Sequence, residues 1–216
     1  MARLKVAVLI SGRGSNLEAL IAACSTPGFP AEIALVIANR EDAGGLAHAA
    51  KANIATRVVP HKSYPSREAF DGALIAALEK SGIELVCLAG FMRLLTPGFV
   101  THWRDRLINI HPSLLPAFPG LDTHERALAA GVRFAGCTVH YVWAEMDSGP
   151  IIVQAAVPVL AGDDADTLAA RVLIAEHRAY PLALRLIGEG RVTVADERAR
   201  IDGAAAPAGI VLNPAD

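Results

Sequence analysis

The stretch LKVAVLISGRGSN, residues 4–16, joins a short apolar run to a turn that contains two glycines and then to residues that can begin a helix. The apolar run has the length and character of a buried strand. Gly12 and Gly14 allow the tight backbone that such a junction needs, and Ser15 and Asn16 can cap the helix that follows. This order of strand, glycine turn and helix predicts an α/β protein.

The same alternation continues through the first half of the chain. Strands are predicted at Leu4–Ile10, Ile33–Ala38, Thr56–Val59, Leu85–Ala89 and Leu107–His111, and helices at Asn16–Ala23, Leu46–Ala52, Ser66–Lys80 and Thr123–Ala129. Alternating strands and helices are typical of βαβ units, so the sheet is expected to be mostly parallel with helices on both faces.

The pattern changes in the second half of the chain. The strands predicted at Gly136–Trp143 and Ile151–Leu160 are joined by AEMDSGP alone. Because a link of this length is too short for a parallel crossover, we predict an antiparallel pair. A long helix is predicted from Asp166, with a break or kink at Pro181. Residues 1–202 are expected to form a single domain, and residues 203–216 a loosely ordered tail.

Composition narrows the possible partners. The net charge is −2, and a nucleic-acid-binding protein would normally carry a basic excess, so a small-molecule substrate is favoured over nucleic acid. No run reaches eighteen apolar residues, so no membrane partner is predicted. The start MARLKVAVLIS has a crude resemblance to a signal peptide, but it lacks a small-residue cleavage site and is interpreted as the first strand. Assembly into a homo-oligomer is left open.

The cysteines and histidines do not indicate a metal site. Cys24, Cys87 and Cys137 are odd in number and far apart, which fits neither a disulfide framework nor a zinc motif. We interpret them as buried thiols of a cytoplasmic protein. No HExxH motif and no histidine pair at helical i, i+4 spacing occurs, so no metal is predicted.

The glycine turn is a candidate phosphate site. The free N–H groups at the start of a helix bind anions well. A dinucleotide fingerprint would need a third glycine where Leu17 stands, so a single phosphate is favoured over a pyrophosphate. On this loop alone, an ordinary strand-to-helix turn is an equally good interpretation.

The segment LINIHPSLLPAFPG, residues 107–120, places two polar side chains in an apolar strand. Side chains two apart share a face, so Asn109 and His111 point the same way at the carboxyl end, where open α/β sheets bind ligands. An amide and an imidazolium are suitable donors to an oxygen that becomes negative during a reaction. Asp147, in the turn MDSG, is a candidate carboxylate that would favour the charged form of His111.

Four segments together carry a family resemblance: SGRGSN, LAGFMRLL, INIHPSLLPAFPG and DSGPIIVQAAVPV. In this order, and over nearly the whole chain, they resemble the phosphoribosylglycinamide formyltransferase family of purine biosynthesis. The resemblance implies a Rossmann-like fold, 10-formyltetrahydrofolate as the formyl donor and glycinamide ribonucleotide as the acceptor. HPSLLP is shared with other 10-formyltetrahydrofolate enzymes, whereas the SGxGSN loop narrows the resemblance to the glycinamide enzymes.

The resemblance also implies residue roles. It assigns catalysis to Asn109, His111 and Asp147, and ribotide binding to Gly14, Ser15, Asn16 and Glu176. It assigns folate binding to Arg67, Met92, Arg93, Leu94, Leu95, Asn109, Trp143, Ala144, Glu145, Met146 and Asp147. The chain departs from the family at Asp122, where some members carry histidine, and it has Arg13 at the variable position of the loop.

Three alternatives stay open at this point. A formyl donor enzyme for charged tRNA is expected to have a further C-terminal domain and a less acidic balance. A formyltetrahydrofolate hydrolase is expected to have an N-terminal regulatory domain and no use for a phosphate loop. In a nucleotide-binding module without catalysis, Asn109 and His111 would be ordinary polar strand residues.

Overall fold

The computed structural model describes residues 2–203, 205, 209 and 211–214. Within these residues the strands β1–β9 are Leu4–Ile10, Ala31–Ala38, Thr56–Val58, Leu85–Leu88, Leu107–His111, Phe134–Tyr141, Ile151–Pro158, Val192–Ala195 and Arg198–Ile201. The α-helices α1–α6 are Ser15–Cys24, Gly45–Lys51, Arg67–Lys80, Pro97–His102, Thr123–Ala129 and Ala165–Gly188, and a short 3-10 helix spans His61–Ser63.

The main sheet has the strand order β3-β2-β1-β4-β5-β6-β7. Strands β1 to β5 pair in parallel, whereas β6 is antiparallel to both β5 and β7. The predicted parallel sheet with an antiparallel portion near the C-terminus is therefore confirmed. Since β1 pairs with β2 on one side and β4 on the other, the strand order reverses direction at β1, where open α/β sheets form a ligand crevice.

Strand β1 explains why helices cover both faces of the sheet. Its side chains alternate, so Val8 packs into a core with α1 and α6, whereas Leu9 packs into a second core with α3 and α4. Both residues are fully buried. The confirmed strand also shows that the signal-peptide-like start of the chain is part of the folded core.

Strand β6 reverses direction although a helix precedes it. The seven-residue helix α5 is followed by a strand that runs antiparallel to β5, with Thr138 paired with His111 and His140 paired with Asn109. This reversal places β6 directly beside the two polar residues of β5.

Helix α6 runs from Ala165 to Gly188 and passes through Pro181 without ending. The sequence predicted a break or a kink at Pro181, and the break does not occur. A capping box formed by Asp164 and Thr167 fixes the start of the helix. The predicted cap of α3 is also present, because the Ser66 hydroxyl accepts from the Ala69 N–H.

Helix α4, the 3-10 helix and the strands β8 and β9 have no counterpart in the sequence predictions. The short helix α4 is capped by Thr96 and has Pro97 at its first position. Strands β8 and β9 form an antiparallel hairpin. Its turn residues Asp196 and Glu197 are both left-handed, with φ of 51° and 60°. Glycine usually occupies one of these positions in such a turn, and this hairpin has none there.

Part of the predicted tail contacts the domain. The Asn213 amide donates to the carbonyl oxygens of Arg133, at 2.6 Å, and Val159, at 2.9 Å. Residues 204, 206–208, 210, 215 and 216 of the tail lie outside the described residues, and the domain boundary at residue 202 stays a prediction. Of the helices that the structure describes, none is both long and apolar enough to cross a membrane.

Candidate active site

The loops after β1, β4 and β5 meet at the carboxyl edge of the parallel strands. The Ser11 hydroxyl accepts from the Met92 N–H at 2.8 Å, and the Ser11 N–H donates to the Gly90 carbonyl at 3.2 Å. These two bonds hold the glycine turn against the loop after β4. The glycine turn and the loop after β4, which border the crevice at this edge of the sheet, are therefore joined by hydrogen bonds.

His111 lies between two acceptors at the end of β5. Its Nδ1 is 3.4 Å from Oδ1 of Asp147, and its Nε2 is 3.0 Å from the carbonyl oxygen of Phe118. The residue is only 5% exposed, so its ring is largely shielded from water. A carboxylate and a carbonyl can only accept, so the ring satisfies both when each of its nitrogens carries a proton.

Asp147 is held by the backbone. The residue is left-handed, with φ of 49°, and its Oδ2 accepts from the Gly120 N–H at 2.7 Å. The link between β6 and β7 and the loop after β5 are thus joined through one carboxylate. The structure brings together His111 and Asp147, which are 36 positions apart in the sequence.

A first cleft of about 150 Å³ lies between the loop after β4 and the link after β6. Most of the residues predicted to bind folate line it: Arg93, Leu94, Leu95, Asn109, Trp143, Ala144, Glu145, Met146 and Asp147. The structure places two predicted residues elsewhere. Met92 lines a second cleft, and the Arg67 guanidinium donates to the Leu94 carbonyl at 3.1 Å, so it supports the wall of the first cleft.

The second cleft, of about 310 Å³, is lined by two of the residues predicted to bind the ribotide. Asn16 donates from Nδ2 to Oε2 of Glu176 at 2.6 Å. Burial raises the pKa of Glu176, and the hydrogen bond from Asn16 opposes this effect. Gly14 and Ser15 precede Asn16 at the start of α1, where Gly14 is left-handed, with φ of 81°.

Asn109 connects the two clefts. It lines both of them, as does Phe91, whereas His111 lines the second cleft and Asp147 the first. A group bound in one cleft therefore meets a group bound in the other beside Asn109, His111 and Asp147. This arrangement suits a reaction between two ligands that enter from different sides.

His140 is a further member of the first cleft. It pairs with Asn109 across β5 and β6, and its Nδ1 lies 2.9 Å from the Tyr141 carbonyl oxygen. Burial lowers the pKa of His140, which favours the neutral ring. His140 and Thr138 are two residues apart on β6 and therefore share one face of that strand.

The link after β6 is attached to the turn before β5. The Arg104 guanidinium lies 4.1 Å from the centre of the Trp143 ring, and the Trp143 indole N–H donates to Asp105 at 3.5 Å. No sequence pattern marked Arg104 or Asp105.

In the part of the chain that the structure describes, no group of three or more His, Cys, Asp or Glu is arranged to hold a metal ion.

The sequence profile of the family described as formyl transferase matches residues 4–184. The chain belongs to the formyl transferase family. Phosphoribosylglycinamide formyltransferase of Escherichia coli (strain K12) is 46% identical to this formyl transferase over 204 residues, which cover 94% of this chain and 96% of that protein. The predicted resemblance to this family is therefore confirmed.

Other relatives of this formyl transferase are much longer. The trifunctional purine biosynthetic protein adenosine-3 of Gallus gallus is 53% identical over 194 residues, which cover 90% of this chain. The chain spans only 19% of the length of that relative. The corresponding protein of Homo sapiens is 50% identical, again over 19% of its length.

Solved structures show the same fold. Glycinamide ribonucleotide transformylase 1 from Symbiobacterium toebii superposes on this formyl transferase with a TM-score of 0.90 and 50% identity. The match covers 92% of this chain and 94% of that one. The Rossmann-like α/β architecture expected from the sequence is confirmed.

Proposed function

We propose that the chain transfers the formyl group of 10-formyltetrahydrofolate to the amine of glycinamide ribonucleotide, a step of de novo purine biosynthesis. The observation that carries this proposal is the meeting of two clefts at Asn109, beside His111 and Asp147. Relatives that match the chain over nearly their whole length are named phosphoribosylglycinamide formyltransferase, which supports the same reaction.

The first cleft is the proposed folate site. Its wall combines apolar side chains with the Arg93 guanidinium and the polar turn that ends at Asp147. A folate carries a flat ring system and an anionic tail, and a mostly apolar cleft with a few polar groups is the usual kind of site for such a molecule.

The second cleft is the proposed ribotide site. The start of α1 follows Gly14, and its free N–H groups suit a phosphate. Glu176, at the other side of the cleft, is a hydrogen-bond acceptor for ribose hydroxyls. This placement aims the amine of the ribotide at Asn109.

The proposed reaction is a direct transfer. The amine nitrogen bonds to the formyl carbon, and the formyl oxygen takes the negative charge of a tetrahedral species. Asn109 donates from its amide to this oxygen, and His111 donates from Nδ1, because its Nε2 already bonds to the Phe118 carbonyl. The bond from the formyl carbon to the folate nitrogen then breaks, which gives the formylated ribotide and tetrahydrofolate.

One proton is relayed during the transfer, because the attacking amine loses a proton and the departing folate nitrogen gains one. Asp147 accepts the proton of the amine directly or through a water, and the same proton then passes to the folate nitrogen. Because His111 contacts a carbonyl and a carboxylate rather than a serine or cysteine nucleophile, no covalent intermediate on the protein is needed.

The acceptor is tested by mixing the purified protein and 10-formyltetrahydrofolate with glycinamide ribonucleotide, with charged tRNA or with no acceptor. We expect tetrahydrofolate to be released only in the mixture that contains glycinamide ribonucleotide as the acceptor. Release that depends on tRNA would assign the chain to tRNA formylation, and release without an acceptor would make it a hydrolase. No release under any condition would favour a binding module without catalysis.

Replacing Gly14 by alanine is expected to raise the dissociation constant of the ribotide about tenfold, because a left-handed alanine costs roughly 1–2 kcal/mol. A Cβ at Gly14 would also lie 2.5 Å from the Gly45 Cα, so the loop must shift. Calorimetric titration of each ligand checks this expectation, and the folate should bind nearly as before.

Gly12→Ala is the matched control for the Gly14 variant, since a Cβ at Gly12 meets no atom within 4 Å. It is expected to leave both dissociation constants unchanged. An equal loss of ribotide and folate affinity in a folded Gly14→Ala protein would remove the phosphate assignment of the loop.

We also propose a cytoplasmic location and small molecules, rather than nucleic acid or a membrane, as the partners. The three cysteines are free and buried, as is usual in a reducing compartment. The net charge of −2 supplies no cationic excess for a phosphate backbone or an anionic lipid surface.

A further inference from the structure

The loop that follows β5 closes back on His111. The Phe118 carbonyl accepts from His111 Nε2, so residue 118 at the end of the loop bonds to residue 111 at its start. Phe118 is left-handed, with φ of 53°, a conformation that non-glycine residues hold only when the surrounding structure fixes it. The orientation of the imidazole therefore depends on what fixes this loop.

Thr138 is the centre of a buried polar cluster beneath the loop. The side chain is fully buried and belongs to β6, opposite His111 in the register. Its hydroxyl donates to the Ser113 carbonyl at 2.7 Å. It accepts from the Leu115 N–H and from the Gln154 amide, both at 3.0 Å.

These three bonds use the full capacity of the hydroxyl, which has one donor and two acceptor positions. The Gln154 amide makes a second bond, to the Leu115 carbonyl at 2.9 Å, so both backbone groups of Leu115 are bound by the sheet. The Ser113 hydroxyl continues the connection to the Ala117 carbonyl at 2.6 Å, one residue before Phe118.

We propose that Thr138, supported by Gln154, is a positioning residue for His111. It fixes the loop whose Phe118 carbonyl holds Nε2, and this leaves Nδ1 directed toward Asp147 and the reacting oxygen. The inference rests on the proposed function for its catalytic consequence, whereas the orientation of the ring is a property of the protein without substrates. A plain packing role for Thr138 would need only its shape and no hydroxyl.

Thr138→Val keeps the shape and removes the hydroxyl. Displacement of a reacting group by about 1 Å costs about 100-fold in rate, so we expect turnover to fall about 10- to 100-fold. The Michaelis constants of both substrates should change less than about twofold, since Thr138 is distant from the surfaces that bind them. Thr138→Ser keeps the hydroxyl and is expected to restore most of the turnover.

A second measurement does not depend on activity. The ¹⁵N chemical shift of His111 Nε2 reports its hydrogen bond to Phe118, and we expect it to change in Thr138→Val and to stay close to the wild-type value in Thr138→Ser. If the wild type transferred no formyl group to the ribotide, the proposed function would fail, and this shift would still test the positioning of the ring.

Val139→Ala is the matched control for loss of stability. Val139 is the next residue of β6, is fully buried and lies in the opposite core, so its truncation destabilises the same strand without touching the polar cluster. Its turnover is expected to stay at the wild-type value. If Thr138→Val does not fold, Gln154→Leu removes one bond to Thr138 and one to Leu115, and it should show the same shift change with a smaller loss of turnover.

Wild-type turnover together with an unchanged His111 Nε2 shift in folded Thr138→Val, or in Gln154→Leu where Thr138→Val does not fold, would overturn the proposal. A turnover loss of equal size in Val139→Ala would overturn it as well, because general destabilisation would then account for the effect.

Discussion

Replacing Asn109 by alanine is expected to lower turnover about 100- to 1000-fold, which is the usual cost of removing one donor to a developing oxyanion. Asn109 lies on the wall that the two clefts share. Its amide therefore faces the point where a formyl carbon from one cleft meets an amine from the other. We expect both dissociation constants to change less than about threefold, because the donor acts mainly on the transition state.

The control for Asn109 comes from the same strand. Ile108 is fully buried and faces the core instead of the clefts, and Ile108→Val is expected to cost about 0.5–1.5 kcal/mol of stability with normal turnover. Steady-state kinetics of both variants, together with calorimetric titration of each ligand, make the comparison. Near-normal turnover in Asn109→Ala would exclude the oxyanion role.

Replacing Asp147 by asparagine is expected to lower turnover about 100- to 10,000-fold, the range that a positioned acid or base contributes. Asparagine keeps the size of the side chain, tolerates the left-handed backbone and can still accept from the Gly120 N–H. It lacks the charge that faces His111 and the capacity to take a proton from the amine. Folate binding and the free energy of unfolding should therefore change little while turnover is lost.

If Asp147 only stabilised its turn, asparagine would serve almost as well and turnover would stay near the wild-type value. Asp196→Asn provides the matched control, because Asp196 is also a left-handed aspartate, with φ of 51°, in the turn of the β8–β9 hairpin. Its turnover is expected to be unchanged. A comparable loss in both variants would point to a general effect of replacing a left-handed aspartate.

The sequence predicted the parts of the site that depend on local pattern. Strand alternation placed Asn109 and His111 on one face, and the observed strand has the predicted bounds Leu107–His111. The glycine turn before α1 follows from the conformational freedom of Gly14. These features depend on a few adjacent residues, so the sequence pattern contains the information that fixes them.

The remaining features depend on contacts between distant segments. The Phe118 carbonyl and the Gly120 N–H hold His111 and Asp147, and backbone groups leave no mark in a pattern of side chains. The antiparallel pairing of β6 with β5, which brings Thr138 beside His111 and His140 beside Asn109, is a contact between segments far apart in the chain. The placement of Met92 in the second cleft likewise required the three-dimensional path of the loop after β4.

In the proposed reaction, the formyl group passes directly from one cleft to the other beside Asn109. A single-turnover experiment tests it: excess protein is mixed with a donor that carries a radiolabelled formyl group, and glycinamide ribonucleotide is then added. We predict that the label stays on the folate until the ribotide arrives and then appears on the ribotide in equal amount, with none on acid-quenched protein. Label bound to the protein, or released as formate before the ribotide is added, would contradict direct transfer.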